Sequence, residues 1–468
     1  MTPADLPLAF LVFTLLMLRW WPSRRGFSLP RWTLALLLGA TLLHLGLGTP
    51  RWQLTPTYLA AALAGWVLWR RPGAAPRRTG TRVLQGAGLL VLGALAVSLP
   101  TLAPLFRFPL PEGPLPVGTR TLHWQGGTQP LNVQLWYPAS AAPGQTGGGQ
   151  AARYVPDPAV TGALAQMFGL PEFALGHLRH LKTNAWQDAP PSGQSLPVVL
   201  FFHGLGSIRQ QNTFQVEALA SRGYLVVGVD VPGFAAATVD AGGRALHNTH
   251  PTASLSNASS DRWMKTWAAT GEAVLNRLPE LRALGVHPDL GRVGALGHSF
   301  GGAAAAHLLR TDGRVRAALN LDGGIFGAWP AHGYGKPFFL MNTATGLDRQ
   351  AALARLDTLT DAQVAEATQG ETPTRAAYRR DLNALFDRRE RALQGGAWSL
   401  VLPGATHLSF TDAALYSPLL ADPGDAAQTH RLINAYTLAF FGEALQGEPQ
   451  DLINLQTRFP AAKFTVHP

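Results

Sequence analysis

The pentapeptide Gly297-His298-Ser299-Phe300-Gly301 places a hydroxyl nucleophile midway between two glycines, with Gly302 following. It closes the short apolar run Arg292-Val293-Gly294-Ala295-Leu296 and opens the Ala-rich run Ala303 to Leu309, so it reads as strand, tight turn, helix. A turn this sharp leaves no room for side chains two positions before and after the serine, which accounts for Gly297 and Gly301. It lifts the hydroxyl above the sheet and aims the N-terminus of the next helix at the reacting centre. A chain with 50 glycines can produce such a pentapeptide without chemistry. Acyl transfer needs three further parts: a base, an acid and amide donors for an oxyanion.

Histidine is the usual base for a serine hydroxyl because it titrates near neutrality. Leu402-Pro403-Gly404-Ala405-Thr406-His407 offers one in the expected context, a strand and a glycine turn followed by His407. The other histidines fit less well. His298 lies inside the turn, His203 lies in an earlier loop, and His247 and His250 occupy a polar loop, where they would form a metal pair only with a carboxylate that is not evident. Two acids follow strands. Asp322 directly ends Ala317-Ala318-Leu319-Asn320-Leu321, 23 residues beyond Ser299, while Asp348 lies several residues past the run Phe338 to Met341. Asp322 is preferred because abutting a strand fixes its position, and Asp348 remains the alternative. Asp230 reads as a structural turn residue. Either acid preserves the order Ser, acid, His. The oxyanion donors would be the backbone N–H groups of Phe300 and of Leu205 in His203-Gly204-Leu205-Gly206, each contributing ~3–4 kcal/mol in the transition state.

The elements needed to hold these residues alternate along the chain. Leu196 to Phe202, Tyr224 to Val229, Val293 to Leu296, Ala317 to Leu321, Phe338 to Met341 and Trp398 to Leu402 are apolar strands. Helical stretches run from Gln211 to Ser221, from Asp261 to Leu278 with Ser260 or Asp261 as N-cap, from Ala303 to Leu309 and from His430 to Leu445. Strands alternating with helices predict a mostly parallel sheet covered on both faces, the α/β-hydrolase fold. Thr119 to Trp124 and Leu131 to Tyr137 read as a hairpin about Gly126-Gly127, residues 139–152 as a Gly-rich loop, and 349–395 as a helical insertion or cap. Within 154–181, Met167, Phe168, Leu170, Phe173 and Leu175 look exposed, so this excursion is either ordinary surface or a lid that touches lipid.

Charge divides the chain in two. Residues 1–107 hold eleven Arg, one Asp and no Lys or Glu, which is the whole net charge of +10; the remainder carries 27 basic and 27 acidic residues. The catalytic part therefore has no basic excess for nucleic acid. With no cysteine, disulfides, thiolate metal sites and a Cys nucleophile are excluded, and no metal or other cofactor is expected. Four apolar runs, Leu6 to Trp21, Thr33 to Gly48, Thr55 to Trp69 and Val83 to about Phe106, predict an all-α region of four transmembrane helices over 1–107, with the hydrolase domain at 108–468. The first three runs are short of the ~20 residues that span hydrocarbon. Arg and Trp at their ends, including Arg51-Trp52, would extend them by snorkelling. Arginines concentrate in the first and third loops, which are therefore expected in the cytoplasm. That leaves the catalytic domain on the extracytoplasmic side of a multi-pass protein of the cell membrane.

The segments Pro109 to Trp124, Trp136-Tyr137-Pro138, His203-Gly204-Leu205-Gly206, Gly297 to Gly302, Leu321-Asp322-Gly323 and Gly404-Ala405-Thr406-His407 resemble the platelet-activating factor acetylhydrolase family of the plasma and intracellular type II kind. The resemblance spans roughly residues 108–445 and leaves the apolar helices outside. It implies Ser299 as nucleophile, Asp322 as acid, His407 as base, and Leu205 and Phe300 as amide donors. It also implies calcium-independent hydrolysis of short or oxidised acyl esters, at sn-2 of phospholipids. Val231-Pro232-Gly233 departs from the family, which tends to carry charged residues there, and matches the turn of general esterases. The expected protein is thus a membrane-anchored serine ester hydrolase. The alternatives are a broad carboxylesterase or polyester-type hydrolase, and a non-catalytic membrane scaffold that keeps the fold.

Overall fold

In the computed structural model the described residues are 5–20, 30, 32–69, 79–126, 129–140, 149–250, 256–420, 425–449, 452 and 454–468. Four apolar helices come first: α1 (Asp5–Trp20), α2 (Trp32–Leu47), α3 (Thr55–Trp69) and α4 (Thr79–Leu102). They share a buried seam that includes Val12, Leu16, Leu37, Ala60 and Ala64, and they turn Leu42, Leu59 and Leu90 outward. Among the described residues one stretch, Val83–Leu102, is long and apolar enough to cross a membrane; Asp5–Leu18 and Trp32–Gly46 are shorter apolar helices. The loop arginines behind the orientation argument, Arg24, Arg25, Arg31, Arg70, Arg71, Arg77 and Arg78, lie outside the described residues.

Arg51 departs from expectation. It does not reach for headgroups. Instead it is buried, donating to Asp5 Oδ2 at 2.6 Å, while His44 Nε2 lies 3.1 Å from Asp5 Oδ1. A carboxylate inside an apolar bundle requires a paired cation, and Arg51 supplies it.

The remainder is built on one eleven-stranded sheet. Its strands are β1 (Val117–Gly126), β2 (Gln129–Pro138), β3 (Ala151–Arg153), β4 (Lys182–Gln187), β5 (Ser195–Phe202) and β6 (Leu225–Val229). After a separate small ribbon, β7 (Ala237–Val239) with β8 (Ala245–His247), come β9 (His287–His298), β10 (Val315–Leu321), β11 (Phe338–Thr343), β12 (Trp398–Leu402) and β13 (Lys463–Val466). The order is β13-β12-β11-β10-β9-β5-β6-β2-β1-β4-β3. The centre from β12 to β6 is parallel, whereas β13, β2 and β3 pair antiparallel with their neighbours.

Continuous apolar strands result from burial on both faces. In β5, Val198, Leu200 and Phe202 enter one core with Trp267 and Leu308, while Val199 and Phe201 enter the other with Phe214 and Phe440. Each such side chain contributes about 1.5–3 kcal/mol by leaving water. The covering helices are α5 (Pro158–Met167), α6 (Thr213–Ser221), α7 (Asn257–Arg277) and α8 (Phe300–Thr311), followed by the one-turn α9 (Ala344–Leu347). The insertion is helical as expected, with α10 (Arg349–Asp357), α11 (Asp361–Ala367) and α12 (Arg375–Ala392), and α13 (Ala426–Phe441) closes the fold.

Two helix starts differ from the sequence reading. Ser256 caps α7 by accepting from Ser259 N at 3.2 Å, four residues before the expected start, because Asp261 is engaged elsewhere by Arg388 through two 2.8 Å bonds. Asp425 caps α13 through Ala427 N at 2.9 Å, so the helix starts ahead of His430, where the sequence reading began it.

The excursion 154–181 is not all surface. Leu175 is buried, Met167 and Phe168 are half-buried, and Leu170 and Phe173 stay exposed. It also meets the helical region, for Trp52 donates Nε1–H to Ala174 O at 3.1 Å and packs edge-on against Phe173 at 5.3 Å. Past α4, Phe106 stacks on Tyr416 at 6.1 Å and Phe108 meets Tyr154 at 5.0 Å.

Candidate active site

Ser299 sits between β9 and α8 with φ 57° and ψ −121°, a conformation that L residues rarely adopt. The neighbours make it possible. A Cβ on Gly297 would lie 2.2 Å from the carbonyl carbon of Gly301, and one on Gly301 would lie 2.3 Å from the carbonyl oxygens of Phe202 and His203. Both glycines are therefore packing requirements, as the sequence predicts. The Ser299 N–H donates to Leu321 O at 2.8 Å, tying the turn to the strand that carries the acid.

Asp322 follows that strand with φ 50°, and its own N–H donates to Met341 O at 2.7 Å. Its Oδ1 accepts from Thr343 N at 3.0 Å and from Asn342 Nδ2 at 3.1 Å, leaving Oδ2 for His407 Nδ1 at 2.6 Å. Burial alone would raise this carboxyl, but the His407 hydrogen bond and charge, with the Thr343 amide, outweigh it and hold Asp322 at about 2. His407 begins a short 3₁₀ turn after β12, capped reciprocally by Thr406 and Ser409. Asp348, the alternative acid, is exposed and caps α10 through Ala351 N at 2.9 Å. The geometry thus brings Asp322, and not Asp348, to His407.

The amides of Leu205 and Phe300 find no acceptor among the described residues. A cavity of about 230 Å³ collects Ser299 and His407 with Gly204, Leu205 and Gly206, and its apolar wall includes Leu164, Met167, Phe168, Leu408 and Tyr416. A larger cavity of about 470 Å³ lies at the opposite end of the parallel strands, near Tyr224, Leu438 and Arg458, and its lining contains neither serine nor histidine. Asp230 accepts from the backbone N–H of Arg209 at 2.8 Å and pairs with the guanidinium of the same residue, which makes it a structural turn residue. His250 stacks on Phe234 at 3.8 Å and His247 is exposed. Among the described residues no group of three His, Asp or Glu could hold a metal.

The roles of three residues around the site escaped the sequence reading. Gln211 and His298 join the Leu205 loop to the His407 loop. Arg389, buried on α12, donates to the carbonyls of Gly323 and Gly346, so the insertion braces both loops that flank Asp322. These contacts arise where the fold brings distant segments together, and none follows a local pattern.

The sheet order and the strained strand–turn–helix at Ser299 are those of the α/β-hydrolase fold. The family model described as alpha/beta hydrolase fold matches residues 197–410, and the one described as platelet-activating factor acetylhydrolase, isoform II, matches residues 102–251. A probable 1-alkyl-2-acetylglycerophosphocholine esterase of Arthroderma benhamiae is 30% identical over 141 residues, which is 30% of this chain and 34% of that protein. The platelet-activating factor acetylhydrolase of Cavia porcellus is 26% identical over 248 residues, 47% of this chain and 56% of its own length. The chain thus spans between a third and somewhat over half of these relatives. The solved structure of a ferulic acid esterase from Streptomyces cinnamoneus superposes with a TM-score of 0.58 at 27% identity, covering 77% of this chain and all of that one.

Proposed function

We propose that this protein is a serine ester hydrolase of the platelet-activating factor acetylhydrolase kind, acting on short or oxidised acyl esters, including the sn-2 ester of phospholipids. The observation that carries the reading is the 2.6 Å contact from His407 Nδ1 to a carboxylate held at about 2, with His407 and Ser299 lining the same cavity. With Nδ1–H engaged, His407 Nε2 is the free base. It takes the proton of Ser299 Oγ as that oxygen attacks the ester carbonyl, and the oxyanion forms against the amides of Leu205 and Phe300. Collapse expels the alcohol, which takes the proton from His407, and water then releases the acid by the same steps in reverse order. At about 230 Å³ the cavity is smaller than the ~300–1,000 Å³ of drug-sized sites, which favours a short acyl group.

The broad carboxylesterase reading keeps one specific support, the superposition of 77% of this chain on the whole of a ferulic acid esterase. Outward leucines on α1 to α4 and the span-length stretch Val83–Leu102 support an association of this region with a membrane; the multi-pass arrangement with the catalytic domain outside the cytoplasm is proposed from the arginine distribution of the sequence alone. An ester panel varying acyl length and head group, with Ser299→Ala as control, tests the proposal. Acetyl and other short acyl glycerophospholipids should be cleaved in preference to long-chain ones. Equal turnover of long-chain lipids, or turnover by the control, would reject it.

A further inference from the structure

We infer that Gln211 and His298 are positioning residues that lock the oxyanion loop, the serine turn and the base into one hydrogen-bonded unit; this rests on the proposed esterase reading. Gly204 N–H donates to Gln211 Oε1 at 2.8 Å, Gln211 Nε2 lies 2.8 Å from His298 Nδ1, and His298 Nε2 lies 2.9 Å from His407 O. Direction along this chain is forced. A backbone N–H can only donate, so Oε1 faces Gly204 and the amide NH₂ faces His298. His298 Nδ1 must then accept, which puts its proton on Nε2, where it donates to the carbonyl of the base's own residue. Every member is satisfied in this one arrangement, and a protonated His298 would oppose N–H to N–H. Burial pushes His298 well below the usual histidine range, with His407 and its charge acting in the same direction against the opposing pull of Asp322.

The need for such a brace follows from exposure. The His407 side chain is 48% exposed and rests on a short turn, whereas Gln211 and His298 are buried. His298 is bonded in sequence to Ser299, and its ring lies 4.4 Å from the ring of His407, so the base is referenced to the nucleophile's own backbone. Packing is tight as well, since a Cβ on Gly204 would lie 3.1 Å from His298 Nδ1. Displacing a catalytic group by about 1 Å costs on the order of 10²-fold in rate.

The test uses the full chain in lipid nanodiscs with p-nitrophenyl acetate. His298→Leu should lower kcat about 100-fold with KM changed less than about three-fold. His298→Gln restores an N–H toward His407 O and should recover about ten-fold of that loss. Gln211→Glu still accepts from Gly204 but offers His298 no donor, so kcat should again fall at constant KM. Wild-type kcat in His298→Leu and Gln211→Glu, alongside a dead Ser299→Ala, overturns the relay and leaves the esterase reading standing. Full turnover by Ser299→Ala overturns the esterase reading itself. Selective ¹⁵N-histidine spectra of the wild type decide the matter even where a variant fails to fold. A neutral Nε2–H tautomer for His298 is expected, and an Nδ1–H or doubly protonated ring at neutral pH contradicts the relay.

Discussion

Asp322 combines a left-handed backbone, four hydrogen bonds and a carboxyl held at about 2, and all of these converge on His407 Nδ1. Replacing it by Asn should leave the fold intact and lower kcat about 10⁴-fold, because the wrong histidine tautomer is then favoured. Asp348→Asn, which removes only a helix cap, should stay within two-fold or so in steady-state kinetics. The Ser299 turn and the Asp322–His407 contact lie where local pattern points, since Ser299 and Asp322 each directly follow an apolar strand and His407 follows one after a glycine turn. The roles of Gln211 and His298 do not. Their bond joins residues 87 positions apart, and a glutamine near a helix start has no local mark of such a role. Arg389 was hidden for a related reason, being one of six arginines on a polar helix.

Among the elements, the apolar strands and the insertion could be read from composition, whereas β3 and β13, the short edge strands, and β4, paired between β1 and β3, are decided by their pairing partners. The joint between β4 and α6 gives a pH-dependent prediction. Buried Glu217 accepts from Ala185 N and Asn184 Nδ2, both at 2.9 Å, and burial pushes its carboxyl up to about 7 against these bonds. In the unfolded chain it titrates near 4.5. Below that pH both states hold the proton; between 4.5 and about 7 only the folded state does, so stability falls as pH rises through this window. The loss is about 3 kcal/mol, and Glu217→Gln should remove that slope in melting curves recorded from pH 4.5 to 8. A second joint links Trp52 to the wall of the cavity through Phe173 and Ala174. Trp52→Ala should loosen α5 by about 1–2 kcal/mol and raise KM for short esters more than it lowers kcat.

At the scale of the whole molecule, a neutral hydrolase domain is joined to an arginine-rich apolar bundle, and the aromatic exit from α4 runs straight into the cavity wall at Tyr416. The absence of cysteine makes topology directly measurable. Glu366→Cys, exposed on α11, should react with an impermeant maleimide in intact cells, whereas Gly80→Cys, at the exposed start of α4, should react only after lysis. The reverse pattern would invert the orientation. The central claim is that Ser299 forms an acyl-enzyme, and it is tested most directly by acid-quenching the protein during turnover of p-nitrophenyl acetate and mapping the adduct by mass spectrometry. An acetyl group on the peptide carrying Ser299, absent in Ser299→Ala, is the predicted result. Undiminished turnover in that variant, or acetyl found only at other residues, would contradict it.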